Sequence, residues 1–184
     1  MLFLQMKKLL MLGGSQLQIS AIKKARELGH YVITCDYLED NPGHQFSHEY
    51  HNVSITDKDA VLELAKKLKV DGIVCYVADS GAETVAYVAE KLGLPSYSAK
   101  SIDILTNKDK FRLFQQENGF NIPRAKGYSS YEEAKDDFHN FKMPVMIKPV
   151  DSSGSKGISK IDSIELLKEK VANAMNHSRT KRFI

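Results

Sequence analysis

An α/β protein built on a parallel sheet is what this sequence predicts, and three observations predict it. Short, continuous apolar runs recur at Leu9 to Leu12, Tyr31 to Cys35 and Ile73 to Val77. Stretches with apolar residues at helical spacing separate them. Glycines stand where those helices would end, at Gly29 and Gly93. Strands that are apolar on both faces need cover on both sides, which alternating helices supply in a parallel sheet. Ligands of such sheets bind at the C-terminal ends of the strands.

The elements follow in order. The first run leads into Gly13-Gly14-Ser15, and from Gln16 a helix places Ile19, Ile22, Ala25 and Leu28 on one face. The second run ends at Asp36. Val61, Leu64, Ala65 and Leu68 mark a second helix, Ile73 to Val77 a third strand, and Ala82, Val85, Ala86, Ala89 and Leu92 a third helix. Near residue 100 the alternation stops. A short helix is expected from Ser98 to Leu105 and a longer one from Asn107 to Asn118, with Phe111 and Phe114 inward and Gly119 as its stop. Ile122-Pro123 breaks the chain, and Ala125 to Tyr128 has strand character. Ser130 with Glu133 is a capping box that opens a helix running to about Phe141. Asp162 with Glu165 opens another, burying Ile164, Leu167, Val171 and Ala174, and Arg179 to Ile184 reads as the start of a strand. The expected domains are 1–105 and 106–184.

Composition narrows the function classes. The 184 residues are 42% hydrophobic and 27% charged, with net charge +3. That charge is too small to argue for nucleic acid, and no basic tract interleaved with aromatics occurs. Cys35 and Cys75 are the only cysteines, too far apart in sequence for a disulfide framework or a zinc pattern, and fit reduced thiols of the cytoplasm. Lys7 and Lys8 interrupt the apolar N-terminus and Gly13-Gly14 ends it, so a signal peptide is not expected. No run approaches a membrane span. His44, His48 and His51 have near-metal spacing, but with Asn41-Pro42-Gly43 they read as a surface loop. Gly13-Gly14-Ser15 with Asp36 imitates a dinucleotide fingerprint, for which close helix–strand packing is the plainer explanation.

Chemistry concentrates between Pro144 and Ile161. An apolar run (Val145, Met146, Ile147) delivers Lys148, and Pro149 blocks a helix there. Asp151 to Gly157 carries no large apolar side chain. Within it Ser152, Ser153 and Ser155 supply hydroxyls, Gly154 and Gly157 allow positive φ, and Lys156 adds charge. Backbone N–H groups, hydroxyls and ammonium groups together suit a polyphosphate. The spacing is neither Walker A nor Gly-x-Gly-x-x-Gly. Apolar residues return at Ile158 and Ile161, so the element reads as strand–loop–strand, a flap.

These segments in this order resemble the ATP-grasp superfamily, in particular the carboxylate–amine ligases and carbamoyl-phosphate-synthase-like proteins. Leu10 to Asp36, Asp71-Gly72-Ile73-Val74 and Gly93-Leu94-Pro95 are similar to the Rossmann-like pre-ATP-grasp domain. Thr106-Asn107-Lys108, Phe111, Gly119 to Pro123 and Pro144 to Ile161 are similar to the first α+β subdomain of the ATP-grasp fold. The resemblance implies that Lys148 contacts the α-phosphate side of ATP and that Lys108 reaches the phosphates from its helix head. It implies that Ser152, Ser153, Gly154, Ser155, Lys156 and Gly157 close over the triphosphate. It also implies an acceptor-substrate site at Gly14, Ser15, Asp79 and Ser80. The reaction implied is activation of a small carboxylate by ATP and Mg²⁺ as an acyl phosphate, for attack by an amine.

Family members continue well past this length, and their second ATP-binding subdomain and magnesium ligands have no match here. Glu165, Glu169 and Asn173 read as a solvated helix face. The chain is therefore expected to be the N-terminal part of such a ligase, inactive alone. The alternative is a non-catalytic nucleotide- or metabolite-binding module completed by a partner chain. No nucleic acid or membrane partner is expected, and a homodimer is the assembly to test.

Overall fold

A computed structural model describes residues 5–184. The first four residues, part of the stretch weighed as a leader, lie outside the described residues. The chain forms two compact units, Met1–Ile102 and Asp103–Ile184.

The first unit is a parallel sheet with helices. Its strands are β1 (Lys8–Leu12), β2 (Tyr31–Asp36), β3 (Glu49–Asn52) and β4 (Gly72–Cys75), ordered β3-β2-β1-β4. Three helices connect them or follow: α1 (Ile19–Glu27), α2 (Lys58–Leu68) and α3 (Asp79–Leu92). Register sets Leu10 between Ile33 and Ile73, and Leu12 between Cys35 and Cys75. On one face Leu10, Leu12 and Ile33 pack with Val61, Val85 and Val88. On the other, Met11 and Val32 pack with Ile22 of α1. Each such fully buried aliphatic side chain contributes about 1.5–3 kcal/mol of transfer free energy. The chain passes from β1 to β2 and β3 on one side, then returns to β4 on the other side of β1. The carboxyl ends of β1 and β4 therefore form a topological switch point.

In the second unit, reached through α4 (Ala99–Thr106), come α5 (Lys108–Glu117), α6 (Tyr131–Asp137), β5 (Val145–Ile147), β6 (Ser159–Ile161) and α7 (Leu167–Asn176). β5 and β6 are antiparallel, Val145 opposite Ile161 and Ile147 opposite Ser159. Tyr128, Ile147, Ile161, Leu167, Val171 and Phe183 form its core. Ser130 caps α6 by accepting from the Glu133 amide at 3.2 Å, and the Glu133 carboxylate accepts from the Ser129 amide at 3.0 Å.

Several expectations need correction. The loop holding His44, His48 and His51 contains β3, an edge strand paired in parallel with β2. Leu28 is exposed at the end of α1, while Gln18, just before its start, is buried and accepts the Ser15 amide at 2.6 Å. β4 stops at Cys75 because Val77 turns to φ 54°, and Tyr76 and Val77 stay exposed. Phe114 is exposed on α5. Before α7 the N-cap is Ser163 and not Asp162. A 3-10 turn, Ile164–Leu166, follows it, and its tighter winding slips the apolar stripe and leaves Ile164 outside. Ala125 to Tyr128 is not a strand; Tyr128 makes a single bridge, to Phe183.

Candidate functional site

Lys148 follows β5 directly. Strand alternation turns Ile147 into the core and sends Met146 and Lys148 to the opposite face. The Lys148 backbone is fixed by reciprocal bonds with Ile184, each 2.9 Å. Its side chain is half-buried and makes no hydrogen bond or ion pair among the described residues. It lines a cavity of about 550 Å³ whose floor is aromatic and apolar, with Phe138, Phe141 and Leu167 among its residues. Arg112, Arg124, Lys126 and Lys142 also line it, and no Asp or Glu side chain among the described residues does.

Lys108 begins α5. Its Nζ donates to the Ser152 carbonyl at 2.5 Å and reaches the Val150 carbonyl at 3.5 Å, while its amide donates to Val150 at 2.9 Å. The ammonium thus ties down the base of the loop that Ser152 opens. Lys108 and Lys148 meet in a smaller recess of about 90 Å³, with Arg112 and Ile184 in its wall.

The loop itself adopts the backbone its composition foretold. Gly154, Ser155 and Gly157 have φ of 65°, 59° and 73°. Ser153, Gly154, Ser155 and Lys156 are exposed, and the Lys156 amide donates to the Ser153 carbonyl at 3.5 Å across the turn. Nothing lies near the missing Cβ of Gly154. At Gly157 a Cβ would press on His177 and Pro149, each at 2.8 Å. The tip is open and its C-terminal root is clamped. Asp151, at the other root, accepts the Thr180 amide at 2.9 Å. Burial would raise its carboxyl, but hydrogen bonds from Ser178 and Thr180, with Arg179 nearby, hold it below the usual value.

Two groups near the cavity are locked to each other. Tyr128 donates to Asp137 at 2.6 Å, and Lys126 and Asn140 donate to the same carboxylate at 2.9 and 2.7 Å. These bonds, the tyrosine's first, hold Asp137 well below the carboxylate range. Burial, then the bond to Asp137, pushes the Tyr128 phenol upward.

In the first unit, Gly14 and Ser15 follow β1 while Asp79 and Ser80 begin α3 after β4, so all four sit at the switch point. Gly14 is closed in: its carbonyl accepts the Gly43 amide at 2.6 Å, and a Cβ there would overlap the His44 ring. Asp79 and Ser80 are exposed. Asp36 is not placed to read a ribose, because the Leu38 amide (3.2 Å) and the Asn41 side chain (3.0 Å) occupy its two oxygens. The histidines are likewise engaged. His44 bonds Thr34 and the Leu38 carbonyl, His48 accepts the Val32 amide, and His51 meets Glu49 at 2.7 Å. Among the described residues, no group of three or more His, Cys, Asp and Glu could hold a metal ion. Burial raises both thiols, Cys35 to about 12 and Cys75 to about 11, which disfavours the thiolate at either position.

The sequence reading missed Met146, Arg112 and Arg124. Met146 had a signal in its place two residues before Lys148. The arginines had none, because folding alone brings them to one cavity.

No protein-family model matches the chain. A curated relative, the formate-dependent phosphoribosylglycinamide formyltransferase of Synechococcus sp. (strain WH7803), is 29% identical over 173 residues, 94% of this chain and 44% of the relative. The chain thus spans less than half the length of that relative. Among solved structures, N5-carboxyaminoimidazole synthetase from Staphylococcus aureus complexed with ADP aligns with TM-score 0.75 at 20% identity, over 89% of this chain and 43% of that one. The biotin carboxylase domain of Hydrogenobacter thermophilus 2-oxoglutarate carboxylase, in complex with MgADP, ADP and bicarbonate, aligns with TM-score 0.76 at 22% identity, over 94% and 41%. The chain is thus similar in sequence to the formyltransferase and shares its fold with parts of the N5-carboxyaminoimidazole synthetase and of the biotin carboxylase domain.

Proposed function

We propose that this chain supplies the acceptor-substrate domain and the first half of the ATP site of a carbon–nitrogen ligase. The observation that carries the reading is the unpaired, half-buried Lys148 ammonium. Lys148 lines a cavity with no Asp or Glu among its lining residues and precedes by three residues an open Ser/Gly loop in positive φ. Lys148 would meet the phosphates near the α position. The amides and hydroxyls of Ser152, Ser153, Gly154, Ser155, Lys156 and Gly157 would cover them and keep water from the reacting phosphoryl group. Lys108 would act by holding the loop base, with its charge beside the phosphates. Met146, exposed on the Lys148 face, offers apolar contact to a base.

In the whole protein, a carboxylate oxygen would bond to the γ-phosphorus as the bond to ADP breaks. An amine would then form the carbon–nitrogen bond as phosphate leaves. Ser15, Asp79 and Ser80 are the proposed edge of the acceptor site, with Gly14 closed in behind them by Gly43 and His44. Magnesium, which accompanies ADP in the biotin carboxylase domain, does not fit the residues described here, and no step is assigned to it. ATP and a small carboxylate are the proposed partners, with a homodimer as the assembly that light scattering would test. No helix among the described residues is long and apolar enough to cross a membrane.

Calorimetric titration of ATP tests the reading. Lys148→Ala should weaken binding about 10- to 100-fold, as expected for one charge-assisted hydrogen bond to phosphate, and Lys66→Ala should leave it unchanged. Equal affinities in the two variants would overturn it. The purified 184-residue chain should release no ADP in an ATPase assay; turnover would refute the division of labour.

A further inference from the structure

Lys108 and Lys148 bring like charges into one recess of about 90 Å³, where they repel before any phosphate arrives. The residue after Lys108 is an acid that answers neither of them. Asp109 has a side chain only 9% exposed, and its Oδ2 accepts from the Arg182 guanidinium. Its Oδ1 is buried with no hydrogen-bond partner, so the guanidinium is what meets this buried charge. An Asp in the first turn of a helix is favoured there by the dipole even when solvated. Burial against an arginine is a further feature, and it has a consequence for the lysines.

Backbone bonds turn the pair into a brace. The Arg182 amide donates to the Ser178 hydroxyl at 3.1 Å, and the Arg182 carbonyl accepts the Val150 amide at 3.2 Å. The Lys108 amide donates to the Val150 carbonyl at 2.9 Å. A ring closes: Lys108 to Val150, Val150 to Arg182, Arg182 to Asp109, and along the chain to Lys108. All of it lies within residues 108–182. Gly127 leaves room for it, since a Cβ there would stand 2.7 Å from the Asp109 Cβ and 2.7 Å from Oδ2, the oxygen that Arg182 takes. The Asp109–Arg182 pair is neutral as a whole, so it restrains the recess without cancelling the positive charge that a phosphate needs. An acid facing the lysines would oppose the phosphate.

We propose that Asp109, acting through Arg182, is a positioning residue of the phosphate site. It holds the first turn of α5 against the Val150 backbone and so sets where the Lys108 ammonium stands relative to Lys148. The ligand in this inference rests on the ATP reading above; the brace rests on geometry alone.

Calorimetric titration of the 184-residue chain with ATP tests it through a double-mutant cycle. Asp109→Asn keeps the side chain's size and leaves unpaired a guanidinium that is 35% exposed, not a buried charge. It should weaken ATP binding about tenfold, and Gly127→Ala should reproduce part of that loss without changing any charge. In a Lys108→Ala background, Asp109→Asn should change the affinity by less than about twofold, because its effect passes through that ammonium. An equal loss in both backgrounds would mean a merely structural role and would overturn the proposal. Weaker binding in Lys148→Ala with unchanged binding in Asp109→Asn would overturn this inference and leave the proposed function standing. Amide exchange followed by NMR reads the brace without ATP. Asp109→Asn should speed exchange of the Lys108 and Val150 amides about tenfold and leave the Glu133 amide, bonded to Ser130, unchanged. Unchanged exchange at Lys108 and Val150 would overturn the proposal whether or not ATP binds. Faster exchange in a chain that binds no ATP would uphold the brace and sink the proposed function.

Discussion

The two units treat polar groups in opposite ways. In the first, groups beside the strand ends answer one another: Asp36 is closed by Leu38 and Asn41, His44 by Thr34 and Leu38, Gly14 by Gly43. Its core is two-sided and its strands are fixed by parallel register. In the second, only three residues of each β5 and β6 pair, and the sheet is extended by single bridges. Cations there surround a cavity without a carboxylate in its lining. Unanswered charge beside apolar surface marks a place that a ligand completes, whereas satisfied polar groups mark a scaffold.

Truncation should sharpen this contrast most. Leu10 is wholly buried between Ile33 and Ile73, so Leu10→Ala should cost about 3–4 kcal/mol in urea denaturation. Met146→Ala, on the open face of β5, should cost less than about 1 kcal/mol. Similar losses at both positions would erase the distinction between the units.

The flap loop allows a finer comparison within the second unit. Gly157 needs positive φ and has no room for a Cβ, so Gly157→Ala should destabilise by about 2 kcal/mol or more. Gly154 shares the φ but has open space, and Gly154→Ala should cost only about 1 kcal/mol. Equal melting temperatures for the two variants would show that the root of the loop is not clamped.

What the sequence made legible follows the same division. β1, β2, α2 and α3 were readable because burial on a regular element writes a period into the residues. The positive φ of Gly154 and Gly157 was readable because glycine is the residue that permits it without strain. β3 was not, since Glu-Tyr-His-Asn at a sheet edge carries no apolar alternation and is held through its backbone. Leu28, Phe114 and Ile164 fit helical stripes but lie where a helix end, a one-sided contact or a 3-10 turn withdraws them from the core. The cavity cations were hidden because Arg112, Arg124, Lys142 and Lys148 come from separate segments. Their convergence belongs to tertiary structure.

The smallest expected effect is a pH dependence confined to the second unit. Asp137 accepts from Tyr128, Lys126 and Asn140, and its folded-state carboxyl lies below the ordinary range. Its contribution is therefore present above the unfolded pKa, about 3.9, and is lost as pH falls through the folded value. Asp137→Asn keeps the shape but removes the charge that Lys126 and the Tyr128 hydroxyl address. The gap in melting temperature between wild type and this variant should be greatest at neutral pH and shrink below about pH 4. Tyr128→Phe should remove part of that gap, because the tyrosine bond is the largest cause of the shift. A gap that stayed constant from pH 7 to about pH 2 would mean that the Asp137 network is a surface arrangement with no hold on the cavity wall.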